Sequence, residues 1–144
     1  MDLIPIEFDI VPTDPTCALG MRVRLDSNII YDNPHCTEAY HFCYDVSDKD
    51  ADHLLEFELY NKLPEHTQVS STGEITQDAL IKIQDIKFDG IDILQITHPL
   101  FKYHHDFNGT QPPTVDAFYG PMGCNGVARI EFNTPVYLWL LENM

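Results

Sequence analysis

The chain has 144 residues, of which 44% are hydrophobic, and this is enough to enclose one core without disulfide or metal support. Its 23 acidic and 8 basic residues give a net charge of −15, which argues against direct binding to nucleic acid or to anionic membranes. No hydrophobic stretch approaches the roughly 20 residues of a transmembrane helix, and the first residues lack the features of a signal peptide. We therefore expect a single domain, 1–144, that is cytoplasmic when made, with a virus particle as an alternative location.

The first half of the sequence alternates between hydrophobic and polar residues, as half-buried β-strands do. The alternating stretches are 3–10, 21–25, 40–46 and 55–59. Pro5 lacks a backbone donor, which places the first strand at a sheet edge, and 26–34 is predicted to form turns. Leu55 and Leu59 also have helical spacing, but the alternation around them favours a strand. Residues 61–78 are predicted to form a long loop or a short hairpin.

The strongest local signal is Asp89-Gly90, because both residues tolerate the positive φ of a tight two-residue hairpin turn. The turn predicts three cross-strand pairs: Phe88 with Ile91, Ile86 with Ile93, and Lys87 with Asp92. The predicted hairpin is long and spans 79–96. Its alternation changes parity at 84–85, which predicts a bulge there.

The C-terminal third is predicted to be irregular at first and then to return to the core. Residues 98–125 hold four of the ten prolines, and an irregular region of that length usually carries function. Ala128 to Phe132 alternate as a last strand. Residues 136–141 form either a buried strand or a short helix, and Thr134-Pro135 slightly favours the helix, with Thr as its N-cap. This terminus, with Trp139, is expected to pack inward.

These patterns together predict an all-β fold, an antiparallel β-sandwich of jelly-roll-like type, with one short C-terminal helix as an option.

Two groups of side chains have spacings that suggest metal ligands. Asp48, Asp50 and Asp52 match the first three positions of a calcium loop, although His53 replaces its glycine and Leu59 its bidentate glutamate. The alternative is a solvated turn that binds nothing. A possible zinc set comprises His35, Cys36, His41 and Cys43. Its alternative is that the cysteines are free thiols packed as small hydrophobic residues.

The region after the hairpin carries aromatic, imidazole and amide side chains of the kind that recognise sugars and proteins. The predicted ligand or partner contacts are Tyr103, His104, His105, Asp106, Asn108 and Tyr119. The alternative is that these side chains only stabilise their own loop. No Ser or Cys nucleophile stands in a recognisable setting, so the sequence predicts no catalytic residue and no enzyme.

One segment resembles a known family. Leu54 to Gly90 reads LLEFELYNKLPEHTQVSSTGEITQDALIKIQDIKFDG, and it resembles the strand, loop and strand pattern of small jelly-roll carbohydrate-binding modules, particularly the calcium-dependent xylan-binding kind. The alternating strands, Asn61 and the turn at Gly90 match, over about a quarter of the chain. Lys62 departs from the pattern, since the family has a calcium-binding Asp there. The resemblance implies the fold first and sugar binding second.

We expect a non-catalytic β-sandwich module that acts by surface contact within a larger assembly, such as a structural or accessory protein of a phage-type virus particle. Its partner is another protein or a second copy of the chain. One alternative is a carbohydrate-binding module that holds a neutral glycan on Tyr103 and Tyr119. Another is an acidic decoy that mimics DNA phosphates. The carboxylates proposed for the decoy are Asp45, Asp48, Asp50, Asp52, Glu56 and Glu58.

Overall fold

A computed structural model describes residues 3–63, 67–94, 100–106, 109 and 111–143. The strands are β1 (Leu3–Pro12), β2 (Leu19–Leu25), β3 (Asn28–Cys36), β4 (Tyr40–Ser47), β5 (Ala51–Tyr60), β6 (Thr67–Val69), β7 (Ile75–Asp78), β8 (Ile81–Phe88), β9 (Ile91–Asp92), β10 (Lys102–His105), β11 (Thr114–Ala117), β12 (Pro121–Met122) and β13 (Gly126–Thr134). A short helix, α1 (Val136–Glu142), follows them. The predicted all-β class and the optional C-terminal helix are confirmed.

The strands form two main antiparallel sheets. Sheet A has the order β12-β8-β1-β4, with β9 also beside β8, and sheet B has the order β11-β10-β13-β5-β2-β3. The strands β6 and β7 form a separate hairpin, which confirms one of the two predictions for that segment. The two sheets pack face to face as a sandwich, which confirms the predicted architecture.

The core lies between the sheets and consists of the inward residues of each alternating strand. Phe8 of β1 meets Phe57 of β5 edge to face at 4.8 Å between ring centroids. Phe88 of β8 meets Phe132 of β13 at 4.7 Å. Each ring is fully buried, which stabilises the sandwich by roughly 1.5–3 kcal/mol per side chain. The alternation of these strands therefore determines which face of each sheet is apolar.

The position predicted for the first strand is wrong, because β1 lies in the middle of sheet A, between β4 and β8. The Pro5 carbonyl accepts a hydrogen bond from the Asp89 N–H at 2.8 Å. The nitrogen and oxygen of one strand residue point to the same side, so the missing donor of Pro5 faces the turn at the end of β8. A central strand tolerates proline at this position because the missing N–H would not have formed a hydrogen bond of the sheet.

The turn at Asp89-Gly90 is confirmed, with φ values of 52° and 80°. Two of the three predicted cross-strand pairs form in the ladder, Lys87 with Asp92 and Phe88 with Ile91. The third pair is joined by a hydrogen bond from the Ile93 N–H to the Ile86 carbonyl at 3.0 Å. The predicted length is wrong, because β9 contains two residues only. The last residues of the predicted hairpin, 95–96, lie outside the described residues. The Leu94 N–H donates to the Asp92 carboxylate at 3.0 Å, and this local bond turns the chain out of the sheet.

The predicted bulge is confirmed. Asp85 has a φ of 52°, and it lies with Ile86 opposite the single residue Phe8 of β1. The extra residue changes the parity of β8, so that Ile83 and Ile86 both point into the core.

Two segments predicted to lack strands contain them. Most of 26–34 belongs to β3, and only Asp26 and Ser27 form the turn before it. Polar residues are tolerated in β3 because it is the edge strand of sheet B. The region 98–125 contains β10, β11 and β12, which are short. Pro112 and Pro113 lie just before β11, and Pro121 is the first residue of β12.

The helix α1 begins in a different way from that predicted. Its N-cap is Pro135, which offers no side-chain bond, and Thr134 lies one residue earlier. The Asp48 carboxylate instead accepts a hydrogen bond from the Val136 N–H at 2.9 Å. The inward residues are Val136, Trp139 and Leu140, whereas Tyr137, Leu138 and Leu141 are exposed. The terminus therefore packs inward along one face only. Within the described ranges, no helix has the length and apolar character needed to cross a bilayer.

Candidate functional site

The predicted contact residues of β10 divide between the two faces of sheet B. Tyr103 is buried, and its hydroxyl donates to the Cys124 carbonyl. Burial raises the pKa of this phenol above its ordinary value. His105 contacts Asp116 of the neighbouring strand, with 2.7 Å between imidazole Nε2 and the carboxylate. Tyr103 is therefore a core residue and not a recognition platform.

The other predicted ligand or partner contacts do not form one cluster. His104 is exposed on the outer face of sheet B, and Tyr119 is exposed before β12. The Asp106 carboxylate accepts from the Gly109 N–H at 2.8 Å, a local turn bond. Asn108 lies outside the described residues. His104, His105 and Asp106 do border one shallow depression of about 340 Å³.

The possible metal ligands do not converge. Among the described residues, no group of three His, Cys, Asp or Glu side chains could hold a metal ion. Asp48 binds the first turn of α1, and Asp52 lies in β5 opposite Asn133 of β13. The structure therefore gives Asp48 a structural contact in place of a calcium ligand role.

The possible zinc ligands lie in two different sheets. His35 and Cys36 end β3 in sheet B, and His41 and Cys43 lie on β4 in sheet A. The His41 imidazole contacts the Asp9 carboxylate at 2.5 Å, and this hydrogen bond raises the pKa of His41. Burial raises the pKa of every cysteine thiol of the chain above its ordinary value, so none is activated as a thiolate.

An acid, an imidazole and a hydroxyl lie in line where β5 meets the end of β13. His53 Nδ1 is 2.7 Å from the Asp26 carboxylate, and its Nε2 is 3.2 Å from the Thr134 hydroxyl. A Ser-His-Asp triad has the same connectivity. Here, however, the hydroxyl donates to the Lys49 carbonyl, and Thr134 is only 2% exposed. The Thr134 hydroxyl already donates its proton to a backbone carbonyl, and the residue is buried. We therefore assign this network a structural role.

Lys62 is a second polar side chain inside the fold. Its side chain is 0% exposed, and its ammonium donates to the Asp78 carboxylate and, at 2.6 Å, to the Gly123 carbonyl. The backbone of Lys62 exchanges two hydrogen bonds with the Asn125 side chain, at 2.9 and 3.0 Å. The ammonium thus joins β7 to the segment that leads into β13.

The carboxylates proposed for a DNA-mimicking ridge lie on different surfaces. Glu58 accepts from Arg22 and Arg24 at 3.1 and 2.8 Å, and Glu56 accepts from Arg129 at 3.2 Å. These carboxylates lie on the outer face of sheet B, whereas Asp45 belongs to sheet A.

A cluster of aromatic rings lies where the edge strands β3 and β4 come together, and we name it the aromatic edge. Its members are Tyr31, Tyr40, Phe42 and Tyr44. Tyr31 stacks on Tyr40 at 5.3 Å, and Phe42 stacks on Tyr44 at 6.4 Å. Tyr40 is 50% exposed and Tyr44 is 40% exposed. Phe42 also stacks on the core residue Phe8 at 5.1 Å, which joins the aromatic edge to the core.

The strand β4 differs from the other sheet edges of the described chain. It pairs with β1 over eight residues without any irregularity, and it contains no proline. The edge strand β3 has two register irregularities and contains Pro34. The edge strand β11 has four residues, and β9 and β12 have two each. Short, bulged or proline-containing edges resist pairing with other chains, and β4 has none of these protections.

No family model matches the chain, and no curated protein or solved structure matches it. The candidate surfaces are therefore weighed on geometry alone.

On that basis the aromatic edge is the strongest candidate site. Sequence reasoning identified the alternation of 40–46 but not its exposure. Tyr40, Phe42 and Tyr44 have the pattern of a core-facing strand, and only the strand order shows that β4 has a neighbour on one side.

Proposed function

We propose that this protein is a non-catalytic β-sandwich module that self-associates through β4 as part of a larger assembly, such as a virus particle. The observation that supports this most directly is an eight-residue edge strand without bulge or proline that carries two exposed tyrosines. Exposed strand edges of this kind bind other chains by continuing the sheet.

The sequence of β4 suits pairing with a second copy of itself. In an antiparallel pair centred on Phe42, Tyr40 lies opposite Tyr44 of the second copy, and aromatic cross-strand pairs are favourable. On the other face, His41 lies opposite Cys43. Asp45 lies opposite Ala39, so the pair sets no like charges against each other. A two-fold arrangement of this kind is the commonest symmetry of homo-oligomers.

Net charge opposes this association, because each copy carries −15. Salt screens that repulsion, with a Debye length of about 10 Å at 0.1 M and about 3 Å at 1 M. We therefore expect the dissociation constant of the dimer to fall as salt is added. An interface held by ion pairs would respond in the opposite direction.

Sedimentation velocity over a concentration series, at about 50 mM and about 500 mM salt, tests the proposal. Tyr44→Lys places a charge within the paired edge, opposite Tyr40 of the second copy, and is expected to weaken association at least tenfold, which is about 1.4 kcal/mol. The matched control is Val115→Lys, an exposed residue on the edge strand β11, which is expected to have no effect.

Two results would contradict the proposal. One is a wild-type chain that stays monomeric at both salt concentrations and at high protein concentration. The other is association that survives Tyr44→Lys but is lost on Leu141→Lys, since that result would move the interface to the exposed face of α1.

The aromatic edge also supports a second candidate function, the binding of a neutral glycan. Tyr40 presents a half-exposed ring that is held in place by stacking on Tyr31. Sugar rings bind to such faces, and the acidic surface admits neutral glycans better than anionic ones. Affinity electrophoresis through soluble xylan and other neutral polysaccharides tests this function. Retardation that is lost on Tyr40→Ala supports it, and the absence of retardation in all of them rejects it.

A further inference from the structure

A groove of about 510 Å³ lies on the outer face of sheet B, beside α1, and we name it the basic groove. The side chains that matter to its chemistry are Lys102, His104, Arg129, Glu131 and Trp139. The outer face of sheet B holds all three arginines and Lys102, which together are half of the eight basic residues. The aromatic edge includes β4 of the other sheet, so the two surfaces are separate.

Two cations lie side by side in this groove. Lys102 of β10 is directly opposite Arg129 of β13, and like charges in that position destabilise a sheet. Arg129 uses Nε to bind Glu56 at 3.2 Å, and no described residue pairs with its two terminal nitrogens. Lys102 has no ion pair with any described residue. An anion bound between these two side chains would relieve their repulsion.

The indole of Trp139 is a further component of the basic groove. Trp139 is 5% exposed, and no described group accepts a hydrogen bond from its Nε1–H. The described chain contains no buried side-chain nitrogen without a partner, so Nε1 lies at the part of the ring that reaches solvent. Trp139 lines the basic groove, so its indole lies close to a ligand bound there.

Glu131 restricts the class of ligand. It lies two residues beyond Arg129 on the same face of β13, opposite Leu54, and it also lines the groove. A simple anion would be repelled by this carboxylate. A ligand with both a carboxylate and hydroxyl donors would instead bind the two cations and Glu131 at the same time. We propose that the basic groove binds a small hydroxylated organic acid, with the carboxylate on Lys102 and Arg129 and a hydroxyl on Glu131.

Trp139 is the single tryptophan of the chain, so intrinsic fluorescence reports directly on the groove. Three probes separate the parts of the proposal. Glucuronate has a carboxylate and hydroxyl donors, glucose has the donors alone, and acetate has the carboxylate alone. We expect a saturable change with glucuronate in the millimolar range, and weaker responses to the other two probes.

Variants assign the contacts. Lys102→Gln is expected to weaken glucuronate binding about tenfold, the effect of losing one charged hydrogen bond. Glu131→Gln is expected to strengthen acetate binding, because it removes the repelling carboxylate. The control is Lys87→Gln, on the outer face of sheet A, which is expected to leave binding unchanged. Added salt should weaken this binding, the reverse of its effect on self-association.

The proposal fails if about 20 mM glucuronate leaves Trp139 fluorescence unchanged, a concentration above the millimolar range expected for so few contacts. It also fails if glucose gives an equal response, or if Lys102→Gln and Lys87→Gln bind glucuronate alike.

Discussion

Removal of the ammonium of Lys62 tests how much the enclosed ion pair with Asp78 stabilises the fold. Lys62→Met keeps the length of the side chain and loses its bonds to the Asp78 carboxylate and the Gly123 carbonyl. Breaking a buried ion pair by removing one partner costs about 3–5 kcal/mol. Asp78 is 29% exposed and can be partly rehydrated, so we expect the lower limit, about 3 kcal/mol.

Removal of the carboxylate of Asp78 should lower the free energy of unfolding more than removal of the ammonium of Lys62. Asp78→Ala leaves the ammonium of Lys62, whose side chain is 0% exposed, without its counter-ion, and we expect about 5 kcal/mol. The double variant removes both charges, and its cost should fall short of the sum of the single variants by about 2 kcal/mol. Urea denaturation followed by Trp139 fluorescence measures all three. The expected loss for Lys62→Met corresponds to a fall in Tm of about 10 °C.

Lys82→Met is the matched control, because Lys82 lies on the outer face of β8 and has no ion pair among the described residues. Its effect is expected to stay within about 0.5 kcal/mol. The reasoning is refuted if Lys62→Met costs no more than this control. Strict additivity of the two single variants would also refute it, since independent residues do not couple.

Two further predictions concern contacts that sequence reasoning did not assign. Asp48→Ala removes the carboxylate that binds the Val136 N–H, and it should lower the free energy of unfolding by about 1 kcal/mol in urea denaturation, whereas Asp50→Ala should have no effect. The pKa of His41 is raised from its ordinary value of 6.5 by the hydrogen bond to Asp9, so this pair stabilises the fold below pH 6.5 and the stabilisation is lost as pH rises through the higher folded value. Asp9→Asn should therefore lower Tm clearly at about pH 6 and little at about pH 9, and an equal loss at both values would contradict the assignment.

Sequence reasoning succeeded where structure depends on near neighbours. The alternation in β1, β2, β5 and β13 determines which side chains face the core, because successive residues of a strand point to opposite faces. Asp89-Gly90 specifies its own turn. The change of parity at 84–85 specifies the bulge, since one extra residue is needed to keep Ile83 and Ile86 on the same side.

Sequence reasoning failed where a residue depends on its neighbours in space. Pro5 indicated an edge, yet β1 is central because its missing donor falls at the end of β8. The sequence predicts Tyr103 as a ligand or partner contact, whereas the structure buries it between the sheets. The aromatic side chains of β4 have the pattern of a core strand, and their exposure follows from strand order alone.

The amino-acid sequence by itself determined the all-β class, the inward faces of the strands and the main hairpin turn, because these follow from backbone periodicity and local φ preferences. Tertiary structure decided which strands lie at the sheet edges and which distant side chains come into contact. Lys102 and Arg129 become neighbours only through the register of β10 on β13. The ion pair of Lys62 with Asp78 likewise forms only because the end of β7 packs beside the segment that follows β5. Such contacts depend on the register and order of strands far apart in the chain, which local patterns do not encode.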